Sequence, residues 1–422
     1  MKLCICAAFF GAAMVGGAMA QPDATSQTVA PDLLTRGEAV ERALSDDPGI
    51  AAAGQGVRAA EATARQAGAR PNPTFDFQLE DFGGTGQFDG VDSAQLTYAL
   101  SQKVELGGDR QARRITAKRH VDERRIRKGL SALDLREAVE LAFVEAQAAQ
   151  ALVEEMQSRR SLAKELVDAV DQRVQAARDP EAVRTRAVAR LAETEMEVQT
   201  AQNRAEAARA ALRSYWGGTS DFVVETATFL SPVSRDYYGE DPPDLALAEA
   251  ERASAAAQVE IERARRVPDP SFRAGVRQYR DTNNTAFIIG FSVPLPIWNS
   301  NSDAVSAARA HVRQAEYNLV ARERELGREI AYLSSQTEAA RDEINALVKH
   351  VIPGAETALG QTLHVYRQGG LSYLEVLDAQ ASLSEARLRL ISALRTYHRS
   401  EVKLARRRGH PLSGNPQEFS NE

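Results

Sequence analysis

Residues Tyr366 to Gln380 read Tyr-Arg-Gln-Gly-Gly-Leu-Ser-Tyr-Leu-Glu-Val-Leu-Asp-Ala-Gln and lie between two long, Ala-rich helical patterns. Gly369 and Gly370 supply the backbone freedom that a tight reversal between two helices requires. Ser372 can cap the second helix, because its hydroxyl accepts a hydrogen bond from a free backbone N–H. The stretch therefore predicts the tip of a helical hairpin.

An earlier stretch predicts a second hairpin tip, at Ala177-Arg178-Asp179-Pro180-Glu181, between helical patterns of similar length. Pro180 suits the first helical position, where the N–H that proline lacks has no partner in any case. A helix, two alternating strands and a long helix precede each tip, so we expect two copies of one structural unit. The predicted divisions are a signal peptide at 1–20, the first copy at 21–218, a connecting segment at 219–241, the second copy at 242–408 and a C-terminal tail at 409–422.

The composition is typical of long helices rather than of a globular enzyme core, because 43% of the residues are hydrophobic but only 6% are aromatic. Lys2, an apolar run from Leu3 to Gly16 and the small residues Ala18-Met19-Ala20 together predict a secretory signal peptide. Both cysteines lie inside this segment, so the exported chain is expected to have no disulfide. The formal net charge of −6 gives no general attraction for nucleic acid.

The longest helical pattern begins at Asp109 and continues to about Gln175. Its apolar seam steps by three and four residues, and each position of the seam from residue 132 to residue 177 is Ala, Leu, Val or Met except Arg160. At 1.5 Å per residue the helix would be about 100 Å long, which no compact domain accommodates. A second long helix, at 302–368, should be interrupted at Pro353. The last helix carries two interleaved seams, as a helix in the wall of a closed tube requires.

Short runs of alternating polarity predict four strands, two in each copy. An open sheet edge cannot face lipid, so strands in a membrane would have to come from several chains and form one closed barrel. Three chains with four strands each would form a twelve-stranded barrel. A soluble sandwich would show the same alternation, but the signal peptide and the long helices favour the barrel. The predicted lipid-facing residues are Phe75, Phe77, Leu79, Leu96, Tyr98, Leu100, Phe287, Ile289, Phe291 and Val293.

The sequence resembles the TolC family of outer-membrane efflux channels over nearly all of the chain beyond the signal peptide. The tip at 366–380 is similar to the second-copy hairpin of that family. Shorter motifs resemble the branch that serves cobalt-zinc-cadmium resistance pumps: Pro71-Asn72-Pro73, Leu79-Glu80-Asp81-Phe82-Gly83, Leu106-Gly107-Gly108, Pro268-Asp269-Pro270 and Val293-Pro294-Leu295-Pro296.

The resemblance implies a mainly α fold with a small β part. Long helical hairpins of a homotrimer would form an α-barrel through the periplasm, and four strands per chain would contribute to a 12-stranded transmembrane β-barrel in the outer membrane. The implied partners are a periplasmic adaptor protein and a proton-driven inner-membrane pump of the resistance-nodulation-division class.

The resemblance also implies roles for the two tips. In the family, acidic residues near the second-copy tip ring the closed periplasmic entrance, and Glu375 and Asp378 match them by motif position. Glu181 is the first-copy counterpart of Glu375, whereas Arg184 takes the place of Asp378. The alternative is that these carboxylates are solvated groups in the first turn of a helix, favoured by its dipole. The expected adaptor-docking residues are Gly369, Gly370, Leu371, Ser372, Tyr373, Asp179 and Pro180.

These features predict an outer-membrane efflux duct for divalent heavy-metal cations. Two alternatives stay open at this point, a duct for organic compounds and a soluble periplasmic coiled-coil scaffold. The sequence shows no nucleophile set beside a base, and its six histidines include no pair at the helical spacing of a metal site. We therefore expect no enzymatic activity, no cofactor, no metal site and no nucleic-acid partner, and we expect contact with outer-membrane lipid.

Overall fold

The computed structural model describes residues 32–218, 221–231 and 242–409. The predicted signal peptide and residues 410–422 of the predicted tail lie outside these described ranges. The predicted fold class is confirmed, since most of the described chain is helical and a minor part forms two small sheets. The helices are α1 (Arg36–Asp46), α2 (Pro48–Ala67), α3 (Asp109–Gln175), α4 (Glu181–Arg213), α5 (Ala227–Leu230), α6 (Pro243–Ala264), α7 (Ser302–Ala346), α8 (Ile352–Gln368) and α9 (Tyr373–Arg408). The strands are β1 (Asp32–Leu34), β2 (Thr74–Glu80), β3 (Gln95–Lys103), β4 (Phe222–Val224), β5 (Ser271–Tyr279) and β6 (Asn284–Ser292).

The helix α3 is the longest element and contains 67 residues, as its seam predicts. It packs against both α4 and α9. Seam residues such as Val139 and Val170 are fully buried, whereas Arg160, the exception in the seam, is exposed. The predicted pairing of α9 with two neighbours is also confirmed, because α9 contacts both α3 and the long helix that precedes it in the chain. The apolar seams therefore define the helical wall.

The second long helix contains the interruption that the sequence predicts near Pro353, but its form differs from a simple proline kink. A five-residue π-helical turn, Leu347–Val351, separates α7 from α8, and Pro353 lies in the first turn of α8. A proline ring clashes with the carbonyl four residues earlier and cannot donate to it. The wider π-helical turn shifts the bonding partner by one residue and so relieves this conflict.

A four-stranded antiparallel sheet, with the order β2-β3-β5-β6, lies beyond the start of the long helices. Phe77 pairs with Tyr98, Tyr98 with Val276, and Val276 with Phe287, so these side chains occupy one face. The prediction that the fourth strand includes Val293 is wrong. The strand β6 ends at Ser292. This residue pairs with Ser271, the first residue of β5, so β5 offers no partner to Val293.

A second, two-stranded sheet was not predicted from the sequence. Its strands β1 and β4 pair in parallel, and they cover the middle of α3 through Leu34, Phe222 and Val224. The helix α1 begins only after Thr35, which caps it, so the residues of β1 before it are free to pair with β4. The strand β1, in the first copy, thus pairs with β4, which lies in the segment between the two copies.

Candidate functional site

The tip between α8 and α9 has the geometry that its two glycines predict. Gly369 has a φ of 94°, a left-handed value that favours glycine. An added Cβ on Gly370 would lie 2.8 Å from Cγ1 of Val365, so a larger residue here would require Val365 to shift. The backbone N–H of Ser372 donates to Oε2 of Glu375 at 2.7 Å, and the Ser372 hydroxyl donates to the same oxygen at 2.9 Å. Ser372 and Glu375 thus form a capping box at the start of α9.

The tip between α3 and α4 turns without a glycine. Ala177 adopts a left-handed φ of 55°, and the N–H of Arg178 donates to the carbonyl of Arg173 at 2.8 Å to close the helix end. The prediction that Pro180 is the first helical residue is wrong by one position, since Pro180 is the N-cap and α4 begins at Glu181. The short turn brings Asp179 back toward the end of α3.

Three side chains join the two tips, and we call Arg173, Asp179 and Tyr366 the tip clamp. Arg173 donates from Nε and from one terminal nitrogen to the two Asp179 oxygens, at 2.8 and 2.9 Å. Its other terminal nitrogen donates to the Tyr366 carbonyl at 2.6 Å, and the Tyr366 hydroxyl donates to Asp179 at 2.9 Å. The Arg173 guanidinium also lies 4.5 Å from the centre of the Tyr366 ring. The end of the first hairpin is therefore fastened to the end of the second.

Burial strengthens the tip clamp, because the Arg173 and Asp179 side chains are only 11% and 14% exposed. Hydrogen bonds from Arg173 hold the pKa of Asp179 below its ordinary value, and the bond from Tyr366 adds to this effect. Burial, followed by the bond to Asp179, raises the pKa of the Tyr366 hydroxyl, so it stays protonated and continues to donate. The clamp is an ion pair at neutral pH.

The predicted entrance carboxylates lie in two different places. Glu375 and Asp378 line one groove between α8 and α9, and both are exposed. The bonds from Ser372 lower the pKa of Glu375, so this carboxylate is ionised and serves as part of the helix cap. Glu181 belongs to the other hairpin and pairs at 3.2 Å with Arg184. The structure thus groups Glu375 with Asp378, and Glu181 is partly neutralised beside its arginine.

The predicted lipid-facing residues that belong to the strands all lie on one face of the four-stranded sheet. On β6 the side chains are strongly exposed, at 87% for Phe287, 89% for Ile289 and 76% for Phe291. On the opposite face, Arg277 donates to Thr97 at 3.0 Å and approaches Glu80 at 3.3 Å. The sheet therefore has one apolar face and one face of bonded polar side chains. Within the described residues, the outer edges of β2 and β6 have no strand partner.

Sequence reasoning missed Arg173 and the role of Tyr366. One signal was present, because each residue lies two positions before the end of the long helix of its copy. A comparison of equivalent positions in the two copies would have brought them together as a candidate pair.

No helix within residues 32–218, 221–231 and 242–409 combines the length and the apolar character needed to cross a bilayer. In the same described part of the chain, no group of three or more histidine or acidic side chains is placed to hold a metal ion.

A profile of the outer membrane efflux protein family matches residues 39–218 and 240–410. The cobalt-zinc-cadmium resistance protein CzcC of Cupriavidus metallidurans is 28% identical over 368 residues, which cover 86% of this chain and 86% of that protein. The nickel-cobalt-cadmium resistance protein NccC of Alcaligenes xylosoxydans xylosoxydans is 30% identical over 291 residues, or 66% of this chain and 65% of that protein.

Solved structures of the same fold include CusC and, from Vibrio cholerae, VceC. CusC has a TM-score of 0.75 at 18% identity and covers 88% of this chain and 91% of its own. VceC has a TM-score of 0.73 at 20% identity and covers 90% of this chain and 97% of its own. The paired long hairpins, the four-stranded sheet and the profile match over both halves agree, and this chain belongs to the outer membrane efflux protein family, a family of outer-membrane channels that extend into the periplasm.

Proposed function

We propose that this chain is the outer-membrane duct of a tripartite efflux system for divalent heavy-metal cations. Members of its family work as trimeric channels with an adaptor and an inner-membrane pump. The observation that supports the metal cargo is the 28% identity to the cobalt-zinc-cadmium resistance protein over 86% of both chains. The nickel and cobalt resistance protein CnrC, 30% identical over 66% of this chain, supports the same class of cargo. In this proposal the pump is of the resistance-nodulation-division class.

The strand directions support closure of a barrel by three chains. Neighbouring strands in the order β2-β3-β5-β6 are antiparallel, so the two edge strands run in opposite directions. The edge strand β6 of one copy can therefore pair antiparallel with β2 of the next copy, and a closed ring of copies, three in this family, satisfies every edge. The apolar face then meets lipid, while the face with Glu80 and Arg277 lines the lumen.

The tips support a docking role at the far end of the helical wall. Gly369, Gly370 and Ser372 are exposed there and are available to an adaptor. Tyr373 is buried against Tyr366, and both Asp179 oxygens are bonded inside the tip clamp. Within the proposed docking tip, we therefore assign contact with the adaptor to the glycine turn, and we assign Asp179 and Tyr373 to holding that turn in place.

The cargo is tested by comparing metal resistance with dye resistance in cells that lack this chain but keep its pump and adaptor. We expect the cells to become severalfold more sensitive to zinc, cadmium or cobalt, with unchanged sensitivity to organic dyes. Expression of the wild-type chain should restore growth. Sensitivity to dyes alone would instead indicate a duct for organic compounds, and a purified trimer without any conductance in a bilayer would indicate a scaffold.

The entrance carboxylates are tested by Glu375→Gln combined with Asp378→Asn. Glutamine preserves the bonds to Ser372, so the cap of α9 remains while the charges disappear. Two unit charges per chain beside a narrow lumen contribute on the order of 1 kcal/mol each, so the cation-to-anion permeability ratio should fall about fivefold or more. Reversal potentials in a planar bilayer under a salt gradient measure this ratio.

The matched control is Glu165→Gln combined with Glu195→Gln, which removes two exposed carboxylates from α3 and α4 instead. This variant has the same change in net charge, and we expect it to keep the wild-type permeability ratio. If both double variants had the wild-type ratio, the duct would stand but Glu375 and Asp378 would not form a selective entrance.

A further inference from the structure

The contact between the two hairpins changes in character along its length. Beyond the tip clamp it is made by α3 of the first hairpin and α9 of the second. Near the tips it is apolar, since Leu166 of α3 and Tyr373 of α9 belong to one buried cluster. Farther from the tips it is apolar again, where Val144 of α3 and Leu394 of α9 belong to another. We call the polar stretch between these clusters the middle seam, and it contains Glu155 of α3 and Gln380, Ser384 and Arg387 of α9.

An amide without a partner lies in the middle seam. Positions 373, 380, 387 and 394 are separated by seven residues, so Gln380 and Arg387 lie on the same face of α9 as the two apolar residues that contact α3. Gln380 is 4% exposed, and within the described part of the chain its Nε2 has no hydrogen-bond partner. A buried amide without a partner costs free energy that an apolar side chain of similar size would not. The middle seam is therefore weak at this position.

The carboxylate of Glu155 is also poorly bonded in the middle seam. Its side chain is only 7% exposed. It accepts from the Ser384 hydroxyl at 3.3 Å and from Arg387 at 3.5 Å, and both distances exceed those of ordinary hydrogen bonds. The shorter bond of Arg387, at 2.8 Å, goes to Glu356 of its own hairpin. Long bonds do not offset the hydration that a buried carboxylate loses, so Glu155 weakens the contact between α3 and α9.

The π-helical turn between α7 and α8 lies at the height of the middle seam. Arg389 of α9 donates to Glu343, which precedes the turn. Arg387, two residues earlier on α9, donates to Glu356, which follows the turn. Helices bend where a π-helical turn interrupts their regular bonding. The second hairpin therefore has a bending point beside the stretch of α3 to which it is held most weakly.

We propose that the second hairpin separates from α3 along the middle seam, and that Glu155 keeps this seam weak enough to separate. The proposal rests on the proposed function, because a duct must change the shape of its helical wall to pass its cargo. The apolar cluster with Leu394 keeps α9 attached to α3 farther from the tips. A seam that was apolar throughout would hold the hairpins together more tightly, but it would not part.

A thiol placed in the middle seam measures how often the seam opens. Ser384→Cys exchanges a buried hydroxyl for a thiol of similar size, and Ala393→Cys places a thiol in the apolar cluster farther from the tips. We would treat detergent-solubilised trimers with a small thiol reagent and follow each position by peptide mass spectrometry. In an otherwise wild-type chain, the thiol at position 384 should react about tenfold faster than the thiol at position 393.

Glu155→Gln should slow the reaction at position 384 about tenfold, because it removes the buried charge but preserves the length of the side chain. Loss of this negative charge by itself favours the thiolate and would raise the rate, so a slower reaction reports closure of the seam. The matched control is Glu154→Gln, the same change at the exposed neighbouring position, which should leave the rate unchanged. Gln380→Leu removes the unpartnered amide and should also slow the reaction.

Equal rates at positions 384 and 393 would overturn the proposal, because the middle seam would then be no weaker than the apolar cluster. A rate that Glu155→Gln leaves unchanged, or that Glu154→Gln lowers equally, would overturn the role of Glu155. None of these rates depends on the cargo or on conduction. A chain that opens its middle seam but never conducts in a bilayer would therefore fail as a duct, while the weak seam would stand.

Discussion

Channels with Asp179→Asn and Tyr366→Phe are expected to conduct far more current in a planar bilayer than wild-type channels do. The substitutions remove the carboxylate that Arg173 binds through two hydrogen bonds and the hydroxyl that donates to it. Breaking a buried ion pair by removing one partner costs about 3 kcal/mol or more. If the tip clamp holds the periplasmic entrance narrow, the population of open channels should rise about 100-fold.

The matched control for the tip clamp is Tyr373→Phe. Its ring lies 6.4 Å from the Tyr366 ring, so the substitution removes a hydroxyl from the same tip but leaves all bonds of Asp179 in place. We expect wild-type conductance from this variant. Equal conductance of the clamp variant and the control would show that the tip clamp stabilises the fold of the tip without limiting the opening.

Acid should weaken the same contact, but only far below neutral pH. The pKa of Asp179 is lowered by Arg173, so the free energy that the ion pair contributes is fully present above the ordinary aspartate pKa. That contribution is lost only as the pH falls through the lowered pKa. Between neutral and mildly acidic pH, the conductance of the wild-type channel should therefore not change in a step. Its pH profile over this range should have the same shape as that of Asp179→Asn.

The substitution Gly275→Val should prevent assembly of the channel. A Cβ at this position would lie 2.4 Å from the Tyr98 carbonyl oxygen and 2.7 Å from Cβ of Ala99, and neither atom can move without breaking the β3–β5 register. Overpacking costs about 1–3 kcal/mol, and here it acts in the middle of the sheet that three copies must share. We expect little or no detergent-stable trimer on gel filtration or native gels.

Gly290→Val is the matched control, because Gly290 lies on β6 of the same sheet but an added Cβ there would meet nothing within 4 Å. This variant should form trimers with the stability of the wild type. A stable trimer from Gly275→Val would mean that β3 and β5 can separate at Tyr98 without loss of the barrel.

The features that could be predicted from the sequence are those whose signals are local. The seam of α3 repeats over many turns, and Gly369 marks its turn by a backbone conformation that other residues avoid. The parallel pairing of Leu34 with Val224 was missed, because strands of three residues are too short to show a period of two. The fourth strand was extended to Val293 because alternation continues past the last residue that has a pairing partner.

The tip clamp was missed for a different reason. Asp179 was expected at the docking tip, but its bonded partner Tyr366 is 187 residues away in the sequence. The equivalent positions of Arg173 and Tyr366 near their helix ends mark them as a candidate pair, but no spacing rule connects either residue with Asp179. Only the packing of one hairpin against the other determines that they meet.

Arg173 and Tyr366 occupy equivalent positions in the two halves, each two residues before the end of its long helix. The tip clamp requires different side chains at these two equivalent positions, because two arginines repel each other and two tyrosines cannot neutralise Asp179. Identical short chains, each carrying one half, would present the same residue twice and could not form it. A single polypeptide that carries both halves can have a different residue at each of these positions, so the two halves of this chain are not interchangeable at the tip.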